Sequence, residues 1–268
     1  MHPKPRISIV TPVLNGAEFL RQTLNSVRAL DYPGLEYIVC DGGSTDGTHG
    51  ILEENRDLIS QLIVEKDSGM YDALARGFSR ATGEVLGWIG SDDLLMPWSL
   101  NCVSSYLAQE PKCQWLTGVP AMVDAEGRLL WMAQVAPRYR RAWIKRRWYS
   151  PIGLGIIQQE CTFFKRELYE KAGGLKPCAW MKNAGDFDLW CRFARHSELH
   201  QTGILLAAYR MHGRNLTGDG SNYFRESGAV RIPGGKVVGY TYSYLRFLWS
   251  CFRRTPRLAD FLPRRANP

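Results

Sequence analysis

Glu84-Val-Leu-Gly-Trp-Ile-Gly-Ser-Asp-Asp93 is an apolar run that stops on two adjacent carboxylates. A continuous apolar run bounded by polar residues is the pattern of a strand covered on both faces, as in a parallel sheet. Two negative charges at the mouth of such a strand make sense where a divalent cation joins them. Hard cations take oxygen ligands, and the same ion can hold a diphosphate. The competing explanation is a helix N-cap, because Asp is favoured just before a helix and Met96-Pro97 has the form of a helix start.

The flanking sequence repeats this pattern. Arg6-Ile-Ser-Ile-Val-Thr-Pro-Val13 reads as a first buried strand, and residues 17–29 as a helix with Phe19, Leu20, Leu24 and Val27 on one face. Leu35-Glu-Tyr-Ile-Val-Cys40 is a second strand, residues 45–55 a helix, Gln61-Leu-Ile-Val-Glu65 a third strand and residues 70–81 a helix. Strands alternating with helices predict an α/β fold, a mostly parallel Rossmann-like sheet flanked by helices. Ligands of such sheets bind outside the carboxyl ends of the strands, and Asn15, Asp41, Asp67 and Asp92-Asp93 occupy four such ends. The second half is less regular. Strands are expected within 114–136, at 160–165 and at 205–210, with helices at 166–172 and about 186–195. Residues 213–235, rich in Gly, Ser and Asn, read as a loop.

The 268 residues are 45% hydrophobic and 22% charged, the composition of a folded protein. No apolar signal-peptide core and no apolar run of about 18 residues is seen, so a membrane-spanning helix is not expected. Seven scattered cysteines without a C-x-x-C pair read as free thiols in a reducing cytosol. The net charge of +8 is unevenly placed: residues 138–149 carry six basic residues and no acid, and residues 231–268 carry eight against Asp260. The rest of the chain is therefore mildly acidic. Both basic segments interleave cations with aromatic rings, a combination suited to an anionic membrane surface. Packing of the aromatic stretch on the domain is the alternative. Nucleic acid is not expected, because no nucleic-acid motif is present.

Asp41-Gly-Gly-Ser-Thr-Asp-Gly-Thr48 puts a carboxylate where it can accept hydrogen bonds from a nucleoside, with glycines that admit close backbone approach. A dinucleotide dehydrogenase also has an acid after its second strand. It needs G-x-G-x-x-G after the first, where this chain has Thr11-Pro-Val-Leu-Asn-Gly16.

Thr11-Pro-Val-Leu-Asn15, Asp41-Gly-Gly-Ser-Thr-Asp46, Asp67-Ser-Gly-Met-Tyr-Asp-Ala73 and Trp88-Ile-Gly-Ser-Asp-Asp93 resemble, in order and spacing, family 2 glycosyltransferases with the GT-A fold. The resemblance covers roughly residues 6–212. It implies an inverting, metal-dependent transfer of a sugar from a nucleoside-diphosphate donor, with Mn2+ or Mg2+ as cofactor. By this resemblance Thr11, Pro12, Asn15, Asp41, Asp67, Asp92 and Arg210 face the donor, and Asp93 and His212 the metal. Gln159 or Glu160 touches the acceptor, and Asp186 in Gly185-Asp-Phe-Asp-Leu-Trp190 is the catalytic base. Gly185 stands where many relatives carry Glu. Asp188, two residues on, points elsewhere on a helix. The expected layout is a catalytic domain over 1–212, with a nucleotide-sugar half at 1–110 and an acceptor half at 111–212. A loop and a basic aromatic, amphipathic tail follow over 213–268. The expected setting is the inner face of the cell membrane, as a peripheral enzyme of surface-polysaccharide synthesis acting on a saccharide or lipid-linked acceptor. A nucleotidyltransferase or a non-catalytic nucleotide-sugar-binding subunit is the alternative.

Overall fold

A computed structural model describes residues 4–134, 138–149, 156–176, 182–216 and 221–228. The first half runs β1 (Ile7–Val13), α1 (Ala17–Arg28), β2 (Leu35–Asp41), α2 (Thr48–Glu54), β3 (Gln61–Val64), α3 (Met70–Arg80), β4 (Val85–Trp88), β5 (Leu94–Leu95) and α4 (Ser99–Gln109). The second runs β6 (Trp115–Thr117), β7 (Ala121–Val123), β8 (Leu129–Met132), α5 (Arg141–Lys145), β9 (Thr162–Lys165), α6 (Arg166–Lys171), α7 (Gly185–His196), β10 (Leu199–Gln201), β11 (Ala207–Arg210) and α8 (Ser221–Gly228).

Seven strands form one sheet in the order β10-β6-β9-β4-β1-β2-β3. β1 pairs in parallel with β2 and β4, and β2 with β3. The register sets Val13 beside Asp41 and Asp41 beside Val64, so the polar strand ends share one rim. β9 runs antiparallel between β4 and β6, which makes the sheet mixed. Alternate side chains feed two cores. Val10, Ile38 and Trp88 face one side with Leu74, Phe78 and Trp190; Ile9 and Val39 face the other with Leu20, Leu24 and Val103. α3 lies so close that a Cβ on Gly77 would sit 2.4 Å from Val10 Cγ1, so only glycine admits this approach.

A second sheet, β5-β11-β7-β8, continues directly from Asp93. The three β-α alternations and the fourth strand appear where the sequence places them. The differences lie later. α8 forms inside the expected loop 213–235, and β5, α4, α5 and β10 join the predicted elements. Residues 229–268, with most of the expected tail, lie outside the described residues. Cys40, Cys102, Cys113, Cys161 and Cys191 are free thiols. No helix among the described residues is long and apolar enough to cross a membrane.

Candidate active site

The rim of β1 and β2 is stitched by short polar side chains. Asn15, with φ of 53°, accepts from the Thr45 amide at 2.8 Å through Oδ1, and its own amide donates to Ser44 Oγ at 2.8 Å. Asp41 Oδ1 accepts from the Gly43 and Ser44 amides and from Ser44 Oγ, at 3.1, 2.9 and 2.6 Å. Its other oxygen, Oδ2, is buried with no partner. Buried carboxylate oxygens are normally satisfied, so Oδ2 stands ready for a donor group from outside the chain. Asp67 accepts from the Gly69 amide and lies against Gly42, where a Cβ would meet Asp67 Oδ2 at 2.5 Å. Asp67 and Asp41 therefore flank one short glycine turn. Thr11 turns its side chain away from the rim. It is buried in β1, and its hydroxyl accepts from Tyr37 Oη at 2.9 Å, so it serves the core. Pro12, next to it, is also buried within the strand.

Asp92 and Asp93 turn the chain from the first sheet into the second. Asp93 Oδ1 accepts from the Arg210 amide at 2.8 Å, and Asp92 Oδ2 meets His212 Nε2 at 2.9 Å. A Cβ on Gly90 would lie 2.6 Å from Asp93 Oδ2 and 2.7 Å from Asp92 Oδ1. Both remaining oxygens thus face the same space, kept open by a glycine. Burial raises the Asp93 pKa well above the usual carboxylate range, and Glu160 and Asp92 add to the rise. His212 is fixed by its Asp92 contact and by Phe19, whose ring centroid is 4.5 Å away. The structure places His212 on Asp92. Arg210 is fully buried, with most of its guanidinium committed to backbone carbonyls. Its Nε donates to the Asp92 carbonyl at 2.5 Å, and Nη1 to the carbonyls of Asp124 and Ala125 at 3.2 and 2.6 Å. Nη2 alone lacks a partner. Arg210 is a brace that ties the Asp pair to the β7–β8 turn.

Asp186 sits in the first turn of α7, where the helix end favours a negative charge. Tyr71 Oη donates to its Oδ1 at 3.1 Å, and Tyr223 Oη to its Oδ2 at 3.1 Å. Burial pushes its pKa up to about 6, against the lowering effect of the Phe187 amide and the two tyrosines. Asp188 faces away, bonded to Arg192 at 2.8 Å, as the spacing requires. Glu160 is buried, with Oε2 unpartnered, and burial pushes it up to about 7; Asp186 and Asp92 add to the rise. Gln159 Oε1 is likewise buried without a partner, whereas Gln158 is committed to both backbone groups of Ala121. Asp92, Asp93, Glu160 and Asp186 therefore form one electrostatically linked acidic group, with Asp41 and Asp67 along the same rim.

Sequence reasoning missed two residues. Tyr223 and Glu226 both come from α8. Glu226 accepts from the amides of Asn183 and Ala184 at 2.7 and 2.9 Å and from Asn183 Nδ2 at 2.8 Å, and so caps α7 from another helix. Glu226 stands three residues after Tyr223, one helical turn, which was the only local signal.

For a metal, the chemistry of the donor set fits: two carboxylates share an open space with a third acid nearby, and hard oxygen ligands suit Mg2+ or Mn2+. Among the described residues, no group of three or more His, Cys, Asp or Glu is arranged as a finished metal cage.

Residues 8–173 match Glycosyl transferase family 2. An uncharacterized glycosyltransferase of Rickettsia typhi is 26% identical over 227 residues, which cover 84% of this chain and 70% of that protein. A putative teichuronic acid biosynthesis glycosyltransferase, TuaG of Bacillus subtilis, is 33% identical over 93 residues, 34% of this chain and 37% of TuaG. Among solved structures, S. aureus TarS 1-349 in complex with UDP-GlcNAc superposes with a TM-score of 0.64 at 16% identity, covering 91% of this chain and 73% of TarS. A Pyrobaculum calidifontis mannosyltransferase in complex with GDP-Man and Mn2+ gives 0.59 at 20%, covering 91% and 70%.

Proposed function

The chain belongs to glycosyl transferase family 2 and has the GT-A fold, and from that premise we propose that it transfers a sugar, with inversion, from a nucleoside diphosphate to a saccharide hydroxyl. The buried Asp186, held between two tyrosines at the helix end and with its pKa raised to about 6, carries this reading. Such a carboxylate is ionised at neutral pH yet more basic than an ordinary aspartate, which suits a general base.

In the proposed step Asp186 takes the proton of the acceptor hydroxyl as its oxygen bonds to the anomeric carbon. The carbon–oxygen bond to the donor breaks on the opposite face, and the nucleoside diphosphate leaves with the electron pair. Attack opposite the leaving group inverts the anomeric centre. Asp41 Oδ2, buried and unpartnered, accepts from the donor's base, with Asp67 beside it. Asp92 and Asp93 would hold Mn2+ or Mg2+, which when bound supplies Lewis-acid stabilisation of the leaving diphosphate. Gln159 and Glu160, with unpartnered oxygens, face the acceptor. The name of the B. subtilis relative supports a place in surface-polysaccharide synthesis. The cation-rich segments support work at a membrane face, on a lipid-linked acceptor.

The test is calorimetry of UDP- and GDP-sugars with and without Mn2+, followed by turnover of the best donor. Asp186→Asn is expected to bind donor as the wild type does and to lose about 10²–10⁴-fold in turnover. Normal turnover by Asp186→Asn refutes the assignment of the base, and donor binding indifferent to Mn2+ refutes the metal.

A further inference from the structure

Four consecutive apolar side chains of β8 stand in solvent: Leu129 is 57% exposed, Leu130 55%, Trp131 42% and Met132 40%. β8 ends its sheet and is paired on one side only, to β7. The register sets Trp131 opposite Met122 and Met132 opposite Ala121. Neighbouring pairs in a ladder point to opposite faces, so this strand is apolar on both. Folded proteins normally blunt an open edge with charge or proline. A single protein partner on one face would leave the other wet, whereas a lipid surface receives both.

The edge is also shaped against strand addition. Val123 pairs with Leu129 and Met122 with Trp131, so Leu130 is the extra residue of a bulge. A bulge bends and twists the edge and interrupts its run of hydrogen-bonding groups, which disfavours pairing with a second copy. Charge points the same way. Beyond Met132 come Arg138, Arg140, Lys145 and Arg146, all exposed, with no acid between 138 and 149. The rings of that segment are turned inward: Tyr139 and Tyr149 are buried, and Trp143 and Trp148 pack on the core. With those rings committed to the core, β8 is the apolar surface left for lipid, and the cations that follow it in sequence carry the charge that suits anionic headgroups.

We propose that β8 is a membrane-docking blade, seated at headgroup depth on an anionic lipid surface, with Trp131 at the interface. The proposal rests on the reading that the enzyme works at a membrane face, and it names the element responsible. Headgroup depth follows from the unpaired backbone of the outer edge, which needs water, and from the preference of Trp for the interface. The blade is rooted in the active site. The β7–β8 turn holds Arg210 through the carbonyls of Asp124 and Ala125, and Arg210 holds Asp92 and Asp93. Docking by β8 would thus set the donor site against the surface where a lipid-linked hydroxyl is offered.

The experiment uses the full chain with vesicles of phosphatidylcholine alone or mixed with phosphatidylglycerol, with brominated acyl chains as tryptophan quenchers. Wild type is expected to float with the anionic vesicles and to be quenched. Trp131→Phe should float but lose a measurable share of the quenching. Leu130→Glu with Trp131→Glu should weaken flotation by about tenfold or more, with nucleotide binding by calorimetry unchanged as the check on folding. No flotation of wild type overturns the membrane reading itself, leaving sugar transfer untouched. Flotation with quenching and partition unaltered in these variants overturns the blade alone. A dimer that becomes monomeric in the double variant, read by light scattering, overturns the lipid as occupant in favour of a second copy.

Discussion

Tyr223 Oη donates to one oxygen of Asp186 while Tyr71 Oη donates to the other. Each donated bond favours the charged carboxylate and so lowers its pKa against the rise caused by burial. Tyr223→Phe removes one of them. At about 1 kcal/mol of lost selective stabilisation, the Asp186 pKa is expected to rise by about 0.7 unit above its present value near 6. A base works only when deprotonated, so the acid limb of the pH–kcat profile should move to higher pH by that amount, with donor KM unchanged. A profile that scales down without moving along the pH axis refutes the role. Legibility at this scale was uneven. Asp41, Asp67, Asp92 and Asp93 are legible as acids at strand ends, which carry positional meaning, whereas Asp186 is singled out by the family resemblance; their roles belong to the proposed mechanism. The inward turn of the Thr11 side chain was not legible, because a strand residue's face depends on its neighbour, here Tyr37. Nothing local pointed from Tyr223 to Asp186, since the two lie 37 residues apart in sequence.

α7 is held at both ends by side chains from elsewhere. Glu226 of α8 caps the amides of Asn183 and Ala184, and Arg141 of α5 donates to the Ala194 and Arg195 carbonyls at 2.8 and 2.9 Å. An acid at the helix start and a guanidinium at its end both match the helix dipole. Between them Trp190 stacks on Trp88 and Trp115 at 5.4 and 5.6 Å, fixing the helix against the sheet. Glu226→Ala is expected to cost about 1–2 kcal/mol in urea unfolding, the usual range for a lost cap. Turnover should fall further than stability implies, because α8 also carries Tyr223. Unchanged stability and turnover refute the capping role. The sequence of 213–235 reads as a loop by composition. α8 forms within it because Tyr223 and Glu226 find partners on α7, and short helices draw most of their stability from such packing. The basic aromatic segment 138–149 read as a membrane element. Its rings instead complete the core beside α7, and its exposed cations remain.

Arg210 joins the two sheets. Its amide holds Asp93, and its guanidinium holds the Asp92, Asp124 and Ala125 carbonyls. Arg210→Met removes a buried cation from beside buried acids and strands three carbonyls, an expected loss of about 3 kcal/mol at pH 8. The sign with pH follows from the raised Asp93 pKa, against which Arg210 acts. Without the cation, which holds the Asp93 pKa down, Asp93 rises further, so the folded state binds a proton that the unfolded state does not. The loss should therefore shrink at pH 5, read by urea unfolding at both pH values; an equal loss refutes the electrostatic account. At this scale the sequence by itself determined the α/β alternation, the parallel half-sheet and the shared rim of acids, because strand and helix periods and the residues that end them are local. Only the tertiary structure decided the antiparallel insertion of β9, the burial of Arg210, the cap and clamp from α8 and the exposure of β8. Those depend on pairings between residues far apart in the chain. Which face of a strand is covered, and which buried charge meets a partner, is fixed by packing and has no period in the sequence.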